Sequence, residues 1–455
     1  MTSLHKPAAL HSTPNNLDVF SLAWPIGMNA LLQQTILLID TVLVGGLGEA
    51  SLVAMGIATS VAGLILGILL ALSNGTQIIV AQAFGANNSR ALKSGFWSGQ
   101  VVGICVATAG IALIVFFRDD IISRLTEDAV IADKAGSYLL VTTVLFLGLA
   151  ASQNISVFLY ATDNPKIPFY SNLLELPVNA LLSYSLIYGV WGMPELGVVG
   201  AAIGSAVAVL LRCVYLSCYL YSENFSYLIS PGWFNGSIKS AVFTHLSNAL
   251  PIAGTFVSMN FAYTICMMVY SQLEIIEFAA FTVLFIWLRA SGMLATSWSQ
   301  SVGIWVGRLI GQDSMGVLGR FVFRAWKIAV GISLMIAAIY AITPALFDVL
   351  YPGLDEQTID VIRKLLPLLV LLPLVRTSNT VCGNVLRASG QANYAFLVHI
   401  SAQWLFTVPM TLLFVLVLEI SAFWVFAIIF FEEILKSVPF HLRILSGSWK
   451  HYSQA

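Results

Sequence analysis

The chain has 455 residues, of which 58% are hydrophobic and 9% charged, and its formal net charge is −1. That composition excludes a water-soluble protein of this length, because too few polar side chains are present to cover its surface. The net charge by itself names no partner, and no basic tract points to nucleic acid. Cys105, Cys213, Cys218, Cys266 and Cys382 lie inside apolar runs and form no CxxC pair, so neither a disulfide framework nor a zinc site is expected.

Apolar runs of about 20 residues, each enough to cross a bilayer, recur along the whole length. In chain order, spans are predicted at about 18–45, 52–73, 96–117, 137–160, 168–190 and 197–220, then at about 246–271, 277–306, 323–347, 363–386, 394–417 and 420–440. The polar stretch Met1 to Asn16 has no short apolar region and cleavage site, so the first span serves as the insertion signal. Ser222 to His245, with its Pro231-Gly232 and Asn235-Gly236 turn signals, is the longest linker. The organisation expected is a tail at 1–17, a six-helix bundle at 18–221, a linker at 222–245, a second six-helix bundle at 246–440 and a tail at 441–455.

The first span holds the most informative residue. Asp40 lies deep in an apolar run that starts at Trp24-Pro25 and also carries Asn29, Gln33 and Gln34, which are expected to line a cavity with it. A carboxylate near the centre of a membrane costs roughly 2.5–3.5 kcal/mol on insertion scales, so one that persists is a functional candidate. Asn29 and Gln33 lie eleven and seven residues upstream of it, on the same helical face, and Pro25 is expected to kink the helix. Such a group exchanges between a neutral form that tolerates burial and an ionised form that wants water or a cation. The alternative is an aspartate hydrogen-bonded to Gln33 or Asn29 to fix packing.

Further polar residues follow. The fourth span brings Gln153 and Asn154 as candidates to line a polar cavity, since amides are costly against lipid, with Tyr160 as a weaker one. The fifth brings Glu175, Pro177, Asn179 and Ser183, with Asn179 one turn beyond Glu175 on one face. Glu175 is expected to face the same cavity as Asp40, which Ser183 also lines, and to share its proton chemistry, or else to reach water near the end of the span. Arg212, Arg289 and Arg376 also fall within spans, and Trp298 is a weaker lining candidate.

The loops assigned to the inner side carry Lys6, Arg90, Lys93, Lys166, Lys239, Arg308, Arg320, Arg324, Lys327, Arg387, Lys436, Arg443 and Lys450. The outer loops carry only Arg118, Arg124, Lys134, Arg363 and Lys364. This positive-inside bias places both termini in the cytoplasm. The halves also repeat. The interval from Pro25 to Pro251 equals that from Gly85 to Gly311, and Leu159-Tyr-Ala161 and Leu386-Arg-Ala388 match at one position more. Six spans per half is an even number, so the expected fold is all-α and integral to the membrane: 12 transmembrane helices in two six-helix bundles, related by a pseudo-two-fold along the membrane normal.

Asp40-Thr-Val-Leu-Val-Gly-Gly-Leu-Gly48 with Ala54-Met-Gly56 resembles the first-helix pattern of the multidrug and toxic compound extrusion (MATE) transporters. Gly75-Thr-Gln-Ile-Ile-Val-Ala-Gln-Ala-Phe-Gly-Ala86, Val306-Gly-Arg-Leu-Ile-Gly311 and Gly197-Val-Val-Gly-Ala-Ala202 are similar to that family's motifs after the second helix, after the eighth and at the sixth. The resemblance, of NorM or DinF type, implies a monomer in a bacterial inner membrane. It also implies export of drugs and organic cations against inward flow of H+ or Na+, by alternating access and without enzymatic chemistry or cofactor. Asp40 matches the family's ion-coupling acid of the N-terminal bundle, and Asn179 one of its cavity residues. A family acid expected near Ser183 is absent.

The C-terminal half departs from the sodium-coupled members. Met259 stands where they carry a glutamate and Arg376 where they carry an aspartate. Neither a thioether nor a guanidinium can ligate Na+, which favours H+ as the coupling ion, although Na+ near Asp40 stays open. The rival readings are a lipid or lipid-linked-sugar flippase of the same superfamily, kept open by the intramembrane arginines, then a membrane enzyme or an ion channel, for which no nucleophile constellation or filter is present.

Overall fold

A computed structural model describes residues 14–221, 225–230, 232–234, 236–343, 351 and 354–450. Parts of the predicted tails (1–13 and 451–455) and residues 222–224, 231 and 235 of the predicted linker lie outside the described residues. A lipid environment offers no partner for a bare peptide group, so long apolar runs fold as helices that satisfy their own backbone. Twelve such helices are present among the described residues. The first six are α1 (Asn16–Gly45), α2 (Glu49–Gly85), α3 (Ser89–Ser123), α4 (Ala129–Ala161), α5 (Lys166–Tyr188) and α6 (Val198–Leu220). The second six are α7 (Ile238–Tyr270), α8 (Ile275–Gly311), α9 (Met315–Ile342), α10 (Glu356–Ala388), α11 (Ala392–Val417) and α12 (Ala422–Leu445).

Nine of these are long and apolar enough to cross a membrane. The other three, α5, α10 and α12, are the helices that carry Glu175, Arg376 and the Glu432–Glu433–Lys436 group, and their polar and charged residues keep them outside that set.

The repeat is visible in the helix ends. α2 and α8 are both 37 residues long, and their first residues, Glu49 and Ile275, are separated by the same interval as Pro25 and Pro251. The turns that follow repeat too. Asn87 (φ 52°) after α2 corresponds to Asp313 (φ 55°) after α8, and Asp163 (φ 69°) corresponds to Gly390 (φ 81°). These left-handed positions stop one helix and start the next, and Asn, Asp and Gly tolerate them best.

The chain divides into two units. Unit 1 holds Met28–Ala253, and unit 2 holds Gly254–Ala455 with the described residues 14–27. The chain changes unit inside α1 and inside α7, two residues beyond Pro25 and Pro251 respectively. Each unit has its own apolar core. In unit 1 the core gathers Ala58, Leu139, Phe146 and Ala201 around α2, α4 and α6. In unit 2 it gathers Phe281, Leu284, Leu369 and Phe426 around α8, α10 and α12.

α11 bends where its sequence demands it. Two π-helical stretches, Gln403–Thr407 and Leu413–Val417, flank Pro409, whose missing N–H and bulky ring disturb regular α-helical bonding.

The tightest helix pair in unit 1 is α5 with α6. A Cβ on Gly200 would lie 2.5 Å from the Leu186 backbone, and one on Gly204 would lie 2.6 Å from Ser183 N and Oγ. Gly200-Ala-Ala-Ile-Gly204 is thus a small-xxx-small groove into which α5 settles. Gly204→Val is expected to push α5 and α6 apart beside Ser183, lowering the thermal unfolding midpoint and export together. The same change at Gly56, where an added Cβ meets nothing, is expected to leave both unchanged.

Candidate functional site: a caged carboxylate and a buried ion pair

Asp40 is 5% exposed and lies where α1 meets the α5–α6 pair. Ser183 Oγ donates to its Oδ1 at 3.0 Å, and Ser205 Oγ donates to its Oδ2 at 2.8 Å. Asn179 Nδ2 approaches Oδ2 at 3.5 Å and donates to Ser205 Oγ at 2.8 Å. Asn179 and Ser183 are one turn apart on α5, and the Gly204 contact brings Ser205 of α6 against them. No cation pairs with Asp40 among the described residues. Asn179 Oδ1, buried beside it, has no donor among them either. The carboxylate is held only by neutral hydrogen bonds, and an unmet acceptor stands next to it.

α1 itself is the least enclosed of the nine apolar helices, with Leu37, Leu38 and Val42 exposed. Its hold on α5 and α6 therefore depends heavily on polar contacts, of which Asp40 makes one set and Asn29 another.

The second polar centre lies on the same α5–α6 face, about 10 Å along the helices from the first. Arg212 of α6 is 2% exposed. Its Nη1 donates to Glu175 Oε2 at 3.1 Å and to Asn172 Oδ1 at 3.0 Å, and its Nη2 donates to Ser152 Oγ at 2.7 Å. Asn172 in turn donates to Asn29, and Asn29 to the Tyr160 hydroxyl. One network thus joins α1, α4, α5 and α6.

These placements sort the residues singled out from sequence. Asp40, Asn179 and Ser183 come together. Asn29 and Tyr160 are in contact with each other but belong to the Arg212 network. Glu175 is ion-paired with Arg212, so its charge is already answered, and no hydrogen bond links it to Asp40 among the described residues. Gln33 and Gln34 are exposed and Gln153 is half-buried. Asn154 donates to the Phe96 carbonyl at 3.1 Å, fastening α4 to α3, and Trp298 Nε1 donates to the Ala325 carbonyl at 3.1 Å, fastening α8 to α9. Arg289 is exposed, whereas Arg376 and Met259 line a cavity inside unit 2. Ser205 was not foreseen. Its signal was the glycine spacing just before it, which marks that turn of α6 as a close contact.

Unit 2 does not duplicate the caged acid. Cys266, the counterpart of Asp40 by the interval between Pro25 and Pro251, faces the Thr411 hydroxyl at 3.8 Å. Among the described residues no cluster of three or more His, Cys, Asp or Glu could hold a metal ion.

Fold and site together define a duplicated, all-helical membrane protein with a polar centre buried among the helices of its first unit. The MatE family model matches residues 25–185 and 251–413, one copy in each half, and the chain belongs to that family of transporters. It is 26% identical over 208 residues to the multidrug resistance protein NorM of Burkholderia vietnamiensis, a match covering 46% of this chain and 45% of that relative. It is 23% identical over 467 residues to the uncharacterized transporter YisQ of Bacillus subtilis (strain 168), covering 98% and 97%. Its fold is like that of the eukaryotic MATE transporter AtDTX14, with a TM-score of 0.84 at 20% identity, over 96% of this chain and 97% of that one.

Proposed function

We propose that the chain is a secondary active multidrug exporter that couples export of amphipathic, cationic organic compounds to inward movement of protons, with Asp40 as the exchanging group. The observation that carries this reading is the cage around Asp40: a buried carboxylate with three neutral donors and no countercharge among the described residues. Ionised, it accepts from Ser183, Ser205 and Asn179 and ties α1 to α5 and α6. Protonated, one oxygen becomes a donor, and hydrogen bonds to a charged group, worth about 1.5–3 kcal/mol each, fall to the neutral range of about 0.5–1.5 kcal/mol. That difference is enough to bias a loosely enclosed helix between two positions, which is what alternating access requires. Pro25, near the point where α1 changes unit, is the natural hinge. The Glu175–Arg212 pair serves as a fixed strut, its charge already neutralised within the protein.

A sodium-driven version has one observation in its favour, the oxygen donors of Ser183, Ser205 and Asn179 around a single carboxylate. Export of a fluorescent organic cation from proteoliposomes separates the two. An imposed pH gradient without sodium is expected to drive export, and a sodium gradient at uniform pH is expected to drive none. The reverse pattern would sink proton coupling. The setting that fits this reading is a bacterial inner membrane with both termini in the cytoplasm, the protein acting as a monomer.

A further inference from the structure

Unit 2 holds an open cavity of about 210 Å³ to which α7 through α12 all contribute. Its charged lining is Arg376, Arg387, Lys436 and Glu433, with His399 beside them. The acids are spoken for. Lys436 Nζ lies 2.9 Å from an oxygen of Glu432 and 2.9 Å from one of Glu433. The remaining oxygen of Glu432 accepts from Thr407 at 2.8 Å, and that of Glu433 from Asn379 at 2.8 Å.

The cations are not all answered. Neither Arg376 nor Arg387 has a hydrogen bond or ion pair to an acceptor among the described residues. His399 Nδ1 is buried without a hydrogen-bond partner among them. Arg387 folds back along α10, with Nη1 3.8 Å from where a Cβ on Gly383 would sit, and Gly383 is seven residues beyond Arg376, so the two guanidiniums line the cavity at levels about 10 Å apart along the helix. Arg387 and Lys436, assigned to inner loops from the sequence, thus lie in α10 and α12, and three cations face two carboxylates where a buried, uncompensated charge is costly. A guanidinium is a planar fork suited to carboxylate or phosphate. Met259 and Leu288 supply an apolar wall.

We infer that this cavity is an anion site, built to take the carboxylate of an amphipathic organic acid on Arg376 with its apolar body against Met259 and Leu288, while Arg387 adds positive charge from farther along the cavity. As a binding site it stands without the export reading. As a determinant of what is exported it rests on that reading, and it adds zwitterionic and acidic compounds to the cationic ones.

The test is calorimetric titration of the purified protein with benzoate in a chloride- and carboxylate-free buffer. Wild type is expected to bind benzoate. Arg376→Gln is expected to weaken binding by roughly tenfold or more and Arg387→Gln by less, with Arg376→Lys in between as a check that the fold survives. Separate titrations with chloride and inorganic phosphate identify the occupant. Weaker binding than benzoate supports an amphipathic acid, while equal or tighter binding supports an anion site but assigns it to a free inorganic anion. Absence of benzoate, chloride and phosphate binding to wild type would overturn the site. So would unchanged affinity in an Arg376→Gln/Arg387→Gln variant that elutes like wild type. Because the readout is binding, either result leaves the proton-coupling experiment to be judged by itself.

Discussion

Asp40→Asn is expected to abolish proton-driven export while leaving the protein folded. Asparagine keeps the size of the side chain and can still accept from Ser183 or Ser205, so the packing of α1 on α5 and α6 is retained. What is lost is the change between a form that accepts several charge-assisted hydrogen bonds and one that does not. Without that change, proton binding has no differential effect on the two positions of α1 and cannot shift their balance. Export under a pH gradient should fall to the level of protein-free liposomes, while the unfolding midpoint stays near that of wild type. Ser205→Ala should give a partial version, since one of the donors holding the carboxylate is removed. A fully active Asp40→Asn protein would move the coupling group elsewhere.

Arg212→Met is expected to produce the largest loss of stability of any single change in unit 1. It leaves Glu175, 5% exposed, buried without its cation and also removes the donors to Asn172 and Ser152. Breaking a buried pair in this way costs about 3–5 kcal/mol. The expected readout is a steep drop in the unfolding midpoint of the purified protein and in its yield. Glu175→Leu added to Arg212→Met removes the stranded charge as well, and replacing both charges by apolar groups of similar volume is often neutral. That double variant should regain most of the lost stability and keep proton-driven export if the two charges serve only to neutralise each other. Recovery of stability without recovery of coupling would assign Glu175 a share of the proton chemistry.

Much of the fold was legible in the order of residues alone. Span count and the duplication follow from long apolar runs and from matched Pro, Gly and Ala anchors, which recur because they fix helix ends and turns in both halves. Asp40 was legible because an acid persists in an apolar run only where it has partners or a task. Asn179 was legible because helical spacing puts it on one face of α5 with Glu175, whereas Ser183 came forward through the resemblance, as the place of an absent acid.

Partners between helices were harder to read. Gln33 shares a face with Asp40 by spacing, yet it is exposed, because which stripe of α1 packs is decided by its neighbours and not by α1. Glu175 finds its cation on the next helix, α6, and nothing in the local sequence marks Arg212 as that cation. The two halves do show a common plan in retrospect. Lys436 stands as far from the first residue of α12 as Arg212 does from that of α6, and it too is a buried cation answered by carboxylates, here on the preceding turn of its own helix. Asn154 and Trp298 show why buried polar groups are ambiguous: each spends its donor on a carbonyl of an adjacent helix, which sequence cannot separate from lining a cavity.

The most direct measurement is of proton release from the purified protein when an exported cation binds, followed with a pH dye in weakly buffered, sodium-free solution. Wild type should release about one proton per bound cation, and Asp40→Asn should bind the same compound and release none. Equal proton release from both proteins would contradict exchange at Asp40.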